Sequence, residues 1–160
     1  METGTGECCR DLFLDFSFDD ISRAKPPKQK GVYCIKVLKR GLPTGDIEKE
    51  VANHISLLRW EMVEEYLVNR IHRLHNISLC PIIYIGSAGT NTMSKHTLAG
   101  RYQDFKLRHT IQYPLWALLF FGWELHYGWM VTGDPAGIEG RIKTAYQERH
   151  YGKLPALVSR

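Results

Sequence analysis

Apolar and polar positions change period several times along the 160-residue chain, and each change marks an element. "GVYCIKVLK", beginning at Gly31, is a short run rich in Val, Ile and Tyr and predicts a strand. The glycines and proline of "RGLPTGD" close it with a turn. From Asp46 to about His75 the spacing lengthens. Ile47, Val51, Ile55, Leu58 and Met62, then Leu67, Ile71 and Leu74, recur at three- and four-residue steps, which predicts one long amphipathic helix or two in succession. "CPIIYIG" predicts a second strand, with Pro81 at its start, where a missing N–H is tolerated. "TLAGRYQDFKLRH" predicts a helix whose stripe is Leu98, Tyr102, Phe105 and His109.

"PLWALLFFG" is apolar without a period, and Pro114 in front and Gly122 behind favour a short buried helix over a strand. "WELHYGWMV" alternates, so Trp123, Leu125, Tyr127, Trp129 and Val131 share one face of a half-buried strand. Asp134 as N-cap and Pro135 at the first helical position open a last helix through "AGIEGRIKTAYQERHYG". Ahead of all this, residues 1–30 read as a loosely structured lead-in. "DLFLDFSFDD" is a short edge strand or helix there, and "SRAKPPKQK" a basic loop. The order predicts an α+β fold in one domain over residues 1–160. A small mixed or antiparallel sheet of about three strands is flanked by helices, with a helical insertion at 46–75 between the first two strands.

Composition narrows the class of partner. No apolar run approaches the roughly 20 residues of a membrane helix, and "METGTGECCRDLF" lacks the basic start and apolar stretch of a secretory signal. No membrane partner and an intracellular location are therefore expected. The net charge of +4 permits a polyanionic partner, but its distribution says more. Residues 41–80 carry four Lys/Arg against six Asp/Glu, a net of −2, so the rest of the chain is +6. The insertion is the poorer landing surface for nucleic acid, despite the locally basic Arg70–His75 stretch. Packing on the core or a homodimer face, with Trp60 among its apolar residues, is its expected role.

Cys8, Cys9, Cys34 and Cys80 show no CxxC pair and no metal-ligand spacing. Vicinal Cys8-Cys9 reads as free thiols of a mobile tail, Cys34 and Cys80 as small core residues, and no zinc site is expected.

Gly31-Val32-Tyr33 on the first predicted strand and Tyr84-Ile85-Gly86 on the second are joined by Arg101 on the next helix and Glu139 on the last. That order resembles the GIY-YIG nuclease family over about residues 30 to 158, apart from the helical segment. The resemblance implies a metal-dependent endonuclease that hydrolyses phosphodiester bonds in DNA. Glu139 would act as a lone carboxylate ligand for Mg²⁺ (or Mn²⁺), a hard ion that takes its other oxygens from water and phosphate. Tyr33 would help deprotonate the attacking water, and Tyr84 would hydrogen-bond the water or the phosphate.

The residue types suit these roles chemically. The planar guanidinium of Arg101 fits a phosphate gathering charge, and the ionised form of Glu139 is favoured near its helix start. A phenol, with a pKa near about 10, needs a nearby cation before it can act as a base. Gly31 and Gly86 let backbone and substrate approach closely. Arg108 is a second candidate clamp, because the loop from Gly86 to Arg101 is long for the family. His109 would assist proton transfer or touch phosphate, and Lys143 and Arg141 would neutralise it.

Each residue also has a purely structural alternative. Glu139 pairs with Lys143 at i+4, Arg101 with Asp104 at i+3, the tyrosines bury their rings at strand ends, and His109 closes its helix. One departure bears on catalysis. The family's final motif has an asparagine after a proline, but "GKLPALVSR" keeps Pro155 and offers Leu157 or Val158 instead. A catalytically weakened module that keeps the fold to bind nucleic acid or protein is the rival expectation. No separate DNA-binding domain is expected after this motif.

Overall fold

The computed structural model describes residues 8–58, 72, 80–89, 96–107 and 112–158. Its elements in chain order are β1 (Ser17–Asp20), β2 (Gly31–Lys39), α1 (Thr44–Leu58), β3 (Ile82–Ala88), α2 (Leu98–Leu107), α3 (Gln112–Phe120), β4 (Glu124–Val131) and α4 (Pro135–Arg149). A short 3-10 turn, Arg10–Phe13, precedes β1. The fold is α+β, around an antiparallel sheet in the order β1-β4-β2-β3.

The sheet therefore has four strands rather than about three, and no parallel pair. The extra strand, "SFDD", is too short and too acidic to declare itself by alternation. It exists because Ser17–Asp20 finds partners in His126–Trp129 of β4. The insertion consequently lies between β2 and β3, the second and third strands. Within it α1 buries Ile47 and Val51 at the predicted spacing. His72 Nδ1 lies 3.2 Å from the carboxylate of Glu48. Trp60 and, apart from His72, the Arg70–His75 stretch lie outside the described residues, as do Arg108 and His109.

Strand alternation divides the core in two. From β2, Tyr33 and Ile35 join Leu98 and Tyr102 of α2, Leu115 and Leu118 of α3, Tyr127 of β4, and Ile47 and Val51 of α1 on one face. Val32 and Cys34 face the other way, toward Ile142 and Tyr146 of α4 and Phe13 and Phe16 of the lead-in. The apolar segment 112–120 is indeed a helix. It buries Leu115 and Leu118 yet leaves Trp116 and Phe120 exposed, so it shows no single polar face. Helix α4 starts as predicted, with Asp134 Oδ1 accepting from the N–H of Gly137 at 3.1 Å and Pro135 in the first turn.

The chain then passes from the α4 face around the free edge of β3. Ala156 and Leu157 pack into the tyrosine-side core, and Leu157 N–H donates to the carbonyl of Ile83 at 2.9 Å. That carbonyl belongs to an irregularity, because Ile35 pairs with Tyr84 but Lys36 with Ile82, leaving Ile83 between them. The backbone N–H of Leu157 thus satisfies an edge group that the ladder leaves over. Among the described residues no helix is long and apolar enough to cross a membrane.

Candidate functional site

Gly31, Ala88 and Val131 are matched across β2, β3 and β4, so these three strands share one end of the sheet. Helix α2 follows the loop after β3, and α4 follows β4, which brings the starts of both helices toward that end. Leu98 N–H donates to the carbonyl of Gln29 at 2.8 Å and fixes α2 beside the start of β2. Gly31 is part of the same junction. A Cβ there would lie 2.2 Å from the Met130 carbonyl oxygen and 2.6 Å from Leu98 Cδ1.

The two tyrosines of the motifs do face the same side. Tyr33, 2% exposed, lies directly opposite Gly86, and Tyr84, paired with Ile35, is two pairs further along. Their rings stack nearly parallel at 5.9 Å, and on the other side Tyr33 stacks on Tyr127 at 5.6 Å. Tyr102 meets Tyr127 edge-on at 5.1 Å and donates its hydroxyl to the carbonyl of Ile21 at 2.6 Å. Glycine at position 86 has a direct steric reason. An added Cβ would be 2.7 Å from both Cζ and Oη of Tyr33, so the phenol lies across the glycine.

Arg101 stands close enough to this row to act on it. Burial pushes the Tyr33 phenol well above its ordinary range and Tyr84 and Tyr127 raise it further, while the Arg101 guanidinium pulls it back. Tyr127 is raised by burial first and lowered by the same arginine. The side chain of Arg101 is partly exposed and reaches Asp104 at 3.8 Å, the i+3 pair expected of its helix. Its Nε is buried with no hydrogen-bond partner among the described residues, which leaves a donor unspent beside the phenols.

Glu139 lies across the sheet from them. It is on the first turns of α4, where its carboxylate accepts from Ser87 Oγ and, at 2.5 Å, from Lys143 Nζ. The predicted i+4 pair is present, though largely desolvated, with side chains 18% and 23% exposed. Ser87 points to the α4 face because it alternates with Gly86. Thus Tyr33, Tyr84 and Arg101 gather on one face and Glu139, Ser87 and Lys143 on the other. β3 is an edge strand, so its free edge is the border common to both groups. Arg141 is exposed on α4. Ser87 and Tyr127 were not singled out from sequence. Strand alternation after Gly86 would have pointed Ser87 toward the last helix, and the alternation of "WELHYGWMV" did carry the signal for Tyr127.

A carboxylate with a neighbouring hydroxyl is an all-oxygen donor set, the kind a hard divalent cation needs, and a single carboxylate suffices when water and phosphate supply the rest. The residues fit Mg²⁺ in donor type, with Lys143 as the competitor for the same oxygen. The position where the resemblance would put an asparagine is apolar in space as well as in sequence, for Leu157 is fully buried and Val158 nearly so.

A different group of ligands was not expected at all. The thiols of Cys8, Cys9 and Cys80 and the ring nitrogen of His150 all lie within 4.8 Å of one another. The reading of Cys8-Cys9 as tail thiols fails because Phe13 and Phe16 bury themselves beneath the sheet and carry the preceding residues in, with Cys9 only 2% exposed. Cys80 is likewise more than a core filler, while Cys34 is one. Spacing rules overlook the set because its members come from the lead-in, the start of β3 and the end of α4.

Comparison with family models, curated proteins and solved structures finds no match to this chain. What the fold defines is an α+β protein with helices on both faces of a four-stranded antiparallel sheet.

Proposed function

We propose that the chain is a GIY-YIG-like endonuclease that hydrolyses DNA phosphodiester bonds with Mg²⁺ (or Mn²⁺). The observation that carries this reading is the seating of Tyr33 across Gly86, beside Tyr84 and within the field of Arg101. Two tripeptides from separate strands, each weak alone, meet in a contact that needs both the tyrosine of one and the glycine of the other.

Arg101 offers an unspent donor and a fixed positive charge to a phosphate as charge builds on it. Tyr33, its pKa raised by burial, is a neutral phenol at physiological pH and acts through Tyr84, with which it shares a hydrogen bond. Tyr84, half-buried at the edge strand, presents a phenol to the same side. Glu139 with Ser87 would hold the metal, and Lys143 would help neutralise the phosphate. The bound cation would supply charge neutralisation and a more acidic attacking water. The +6 balance outside residues 41–80 suits a polyanionic substrate.

A second reading has its own observation. Both oxygens of Glu139 are engaged within the protein, on the face opposite the tyrosines, and Leu157 fills the asparagine position with core. A binding module that has lost catalysis fits those facts. Supercoiled-plasmid cleavage with and without Mg²⁺ separates the two. Mg²⁺-dependent nicking that disappears in Glu139→Ala while DNA binding survives is the expected result. Salt-sensitive binding without any cleavage by the wild type would transfer the assignment to the module.

A further inference from the structure

Two distances in the cysteine–histidine cluster are close to those of a tetrahedral metal shell, and its four ligand atoms all lie within 4.8 Å of one another. Cys8 Sγ lies 3.8 Å from Cys9 Sγ and 3.3 Å from His150 Nε2. Zinc bonds of about 2.3 Å to sulfur and about 2.0–2.1 Å to nitrogen, at tetrahedral angles, require S···S of about 3.8 Å and S···N of about 3.6 Å. A vicinal disulfide would need its sulfurs at about 2.05 Å, so at 3.8 Å the two thiols are free to act as separate ligands.

Three further observations point to the same occupant. His150 Nδ1 lies 2.7 Å from the carbonyl oxygen of Tyr146. Donation there leaves the lone pair on Nε2, the atom that faces the thiols, which is the outer-shell arrangement of a metal-bound histidine. The imidazole is also stacked on Tyr146 at 3.9 Å, so its aim is fixed. Cys9 adopts φ 65, a left-handed conformation that a residue with a side chain takes only when its surroundings impose it. That turn directs two consecutive side chains to one point, where an extended chain would send them apart. Finally, a cavity of about 270 Å³ borders two of the four ligands, Cys8 and Cys9, between Phe13, Phe16, Lys36 and Ile82.

We propose that Cys8, Cys9, Cys80 and His150 form a structural Zn²⁺ site. Four protein ligands complete the tetrahedron, so the ion has no open position for substrate and acts as a cross-link. Zn²⁺ with three thiolates leaves one net negative charge. Arg149, the residue before His150, sits beside that charge while its guanidinium grips Asp11 with two bonds of 2.6 Å. The site ties the lead-in to the start of β3 and the end of α4. It closes loops of 71 residues (Cys9 to Cys80) and 70 residues (Cys80 to His150), long enough for a cross-link to restrict the unfolded chain strongly. None of this depends on the nuclease reading.

The test uses the full, tag-free chain expressed with zinc in the medium and purified without chelator. Elemental analysis should find one zinc per chain, falling several-fold in Cys80→Ser and in His150→Ala. Replacement of zinc by Co²⁺ in the wild type should give the thiolate charge-transfer band and intense visible absorption of tetrahedral cobalt. Should the variants fail to fold, the wild type still decides the matter. Zn²⁺ added to metal-free protein should protect Cys8, Cys9 and Cys80 from alkylation. Wild type without zinc and without the cobalt spectrum, iron in place of zinc, or a Cys8–Cys9 disulfide in the native protein would each overturn the proposal.

Discussion

Gly86→Ala tests the contact on which the candidate site is built. The backbone of Gly86 lies in ordinary strand territory, so alanine brings no conformational strain and the cost is purely steric. The added methyl would meet Cζ and Oη of Tyr33 at 2.7 Å and Cε2 at 2.9 Å. Tyr33 has little freedom to retreat, because its ring is stacked between Tyr84 and Tyr127 and is 2% exposed. Overpacking of this kind costs about 1–3 kcal/mol. For a chain of this length that lowers Tm by roughly 2–12 °C, taking about 2–4 °C per kcal/mol.

The decisive assay is a double-mutant cycle in urea, with Tyr33→Leu as the second substitution. Leucine lacks every atom that the new methyl strikes, so the cost of Gly86→Ala should fall to near zero in that background, a coupling of about 1–3 kcal/mol. An equal cost in both backgrounds would refute the seating of Tyr33 across Gly86, and with it the observation behind the nuclease proposal.

Asp134→Ala should destabilise the protein by about 1 kcal/mol in the same urea assay, since it removes the side-chain cap on the first turn of α4. Alkaline titration should fall short of the eight tyrosines by at least two until the protein unfolds, because burial raises the phenols of Tyr33 and Tyr127. The sign follows from folded values above the unfolded value of about 10: their contribution to stability is complete below that pH and is lost as pH rises toward the folded values. Phenolate absorbance that reaches all eight while the far-ultraviolet signal stays native would contradict this burial.

Legibility from sequence divided along physical lines. The long strands were readable because both faces of β2 and β3 are buried and their apolar runs are dense. Helix α4 was readable because Asp134 and Pro135 cap it in the standard way. β1 was only half readable, since a four-residue strand is made by its partner's backbone and not by its own side chains. The tyrosine row was legible as two tripeptides, but not the participation of Tyr127, which needs the β2–β4 register to come beside Tyr33. The opposite placement of Glu139 was hidden for the same reason: sequence supplies order along the chain, whereas the face a helix covers is decided by packing. The cysteine cluster lay furthest out of reach, its ligands being separated by about seventy residues at each step and held by burial of Phe13 and Phe16.

Helix α4 links two side-chain clusters on its own face of the sheet. Near its start Glu139 meets Ser87 toward the end of β3, and just past its last turn His150 meets Cys80 ahead of that strand. Between these points Tyr146 packs over β3, with its hydroxyl directed to the carbonyl of Ile82 at 3.5 Å. Eleven residues of helix span about 16 Å, so any tilt or slide of α4 at the His150 end is carried along a rigid rod to Glu139. A zinc cross-link at the far end would therefore set the position of the candidate carboxylate without touching it.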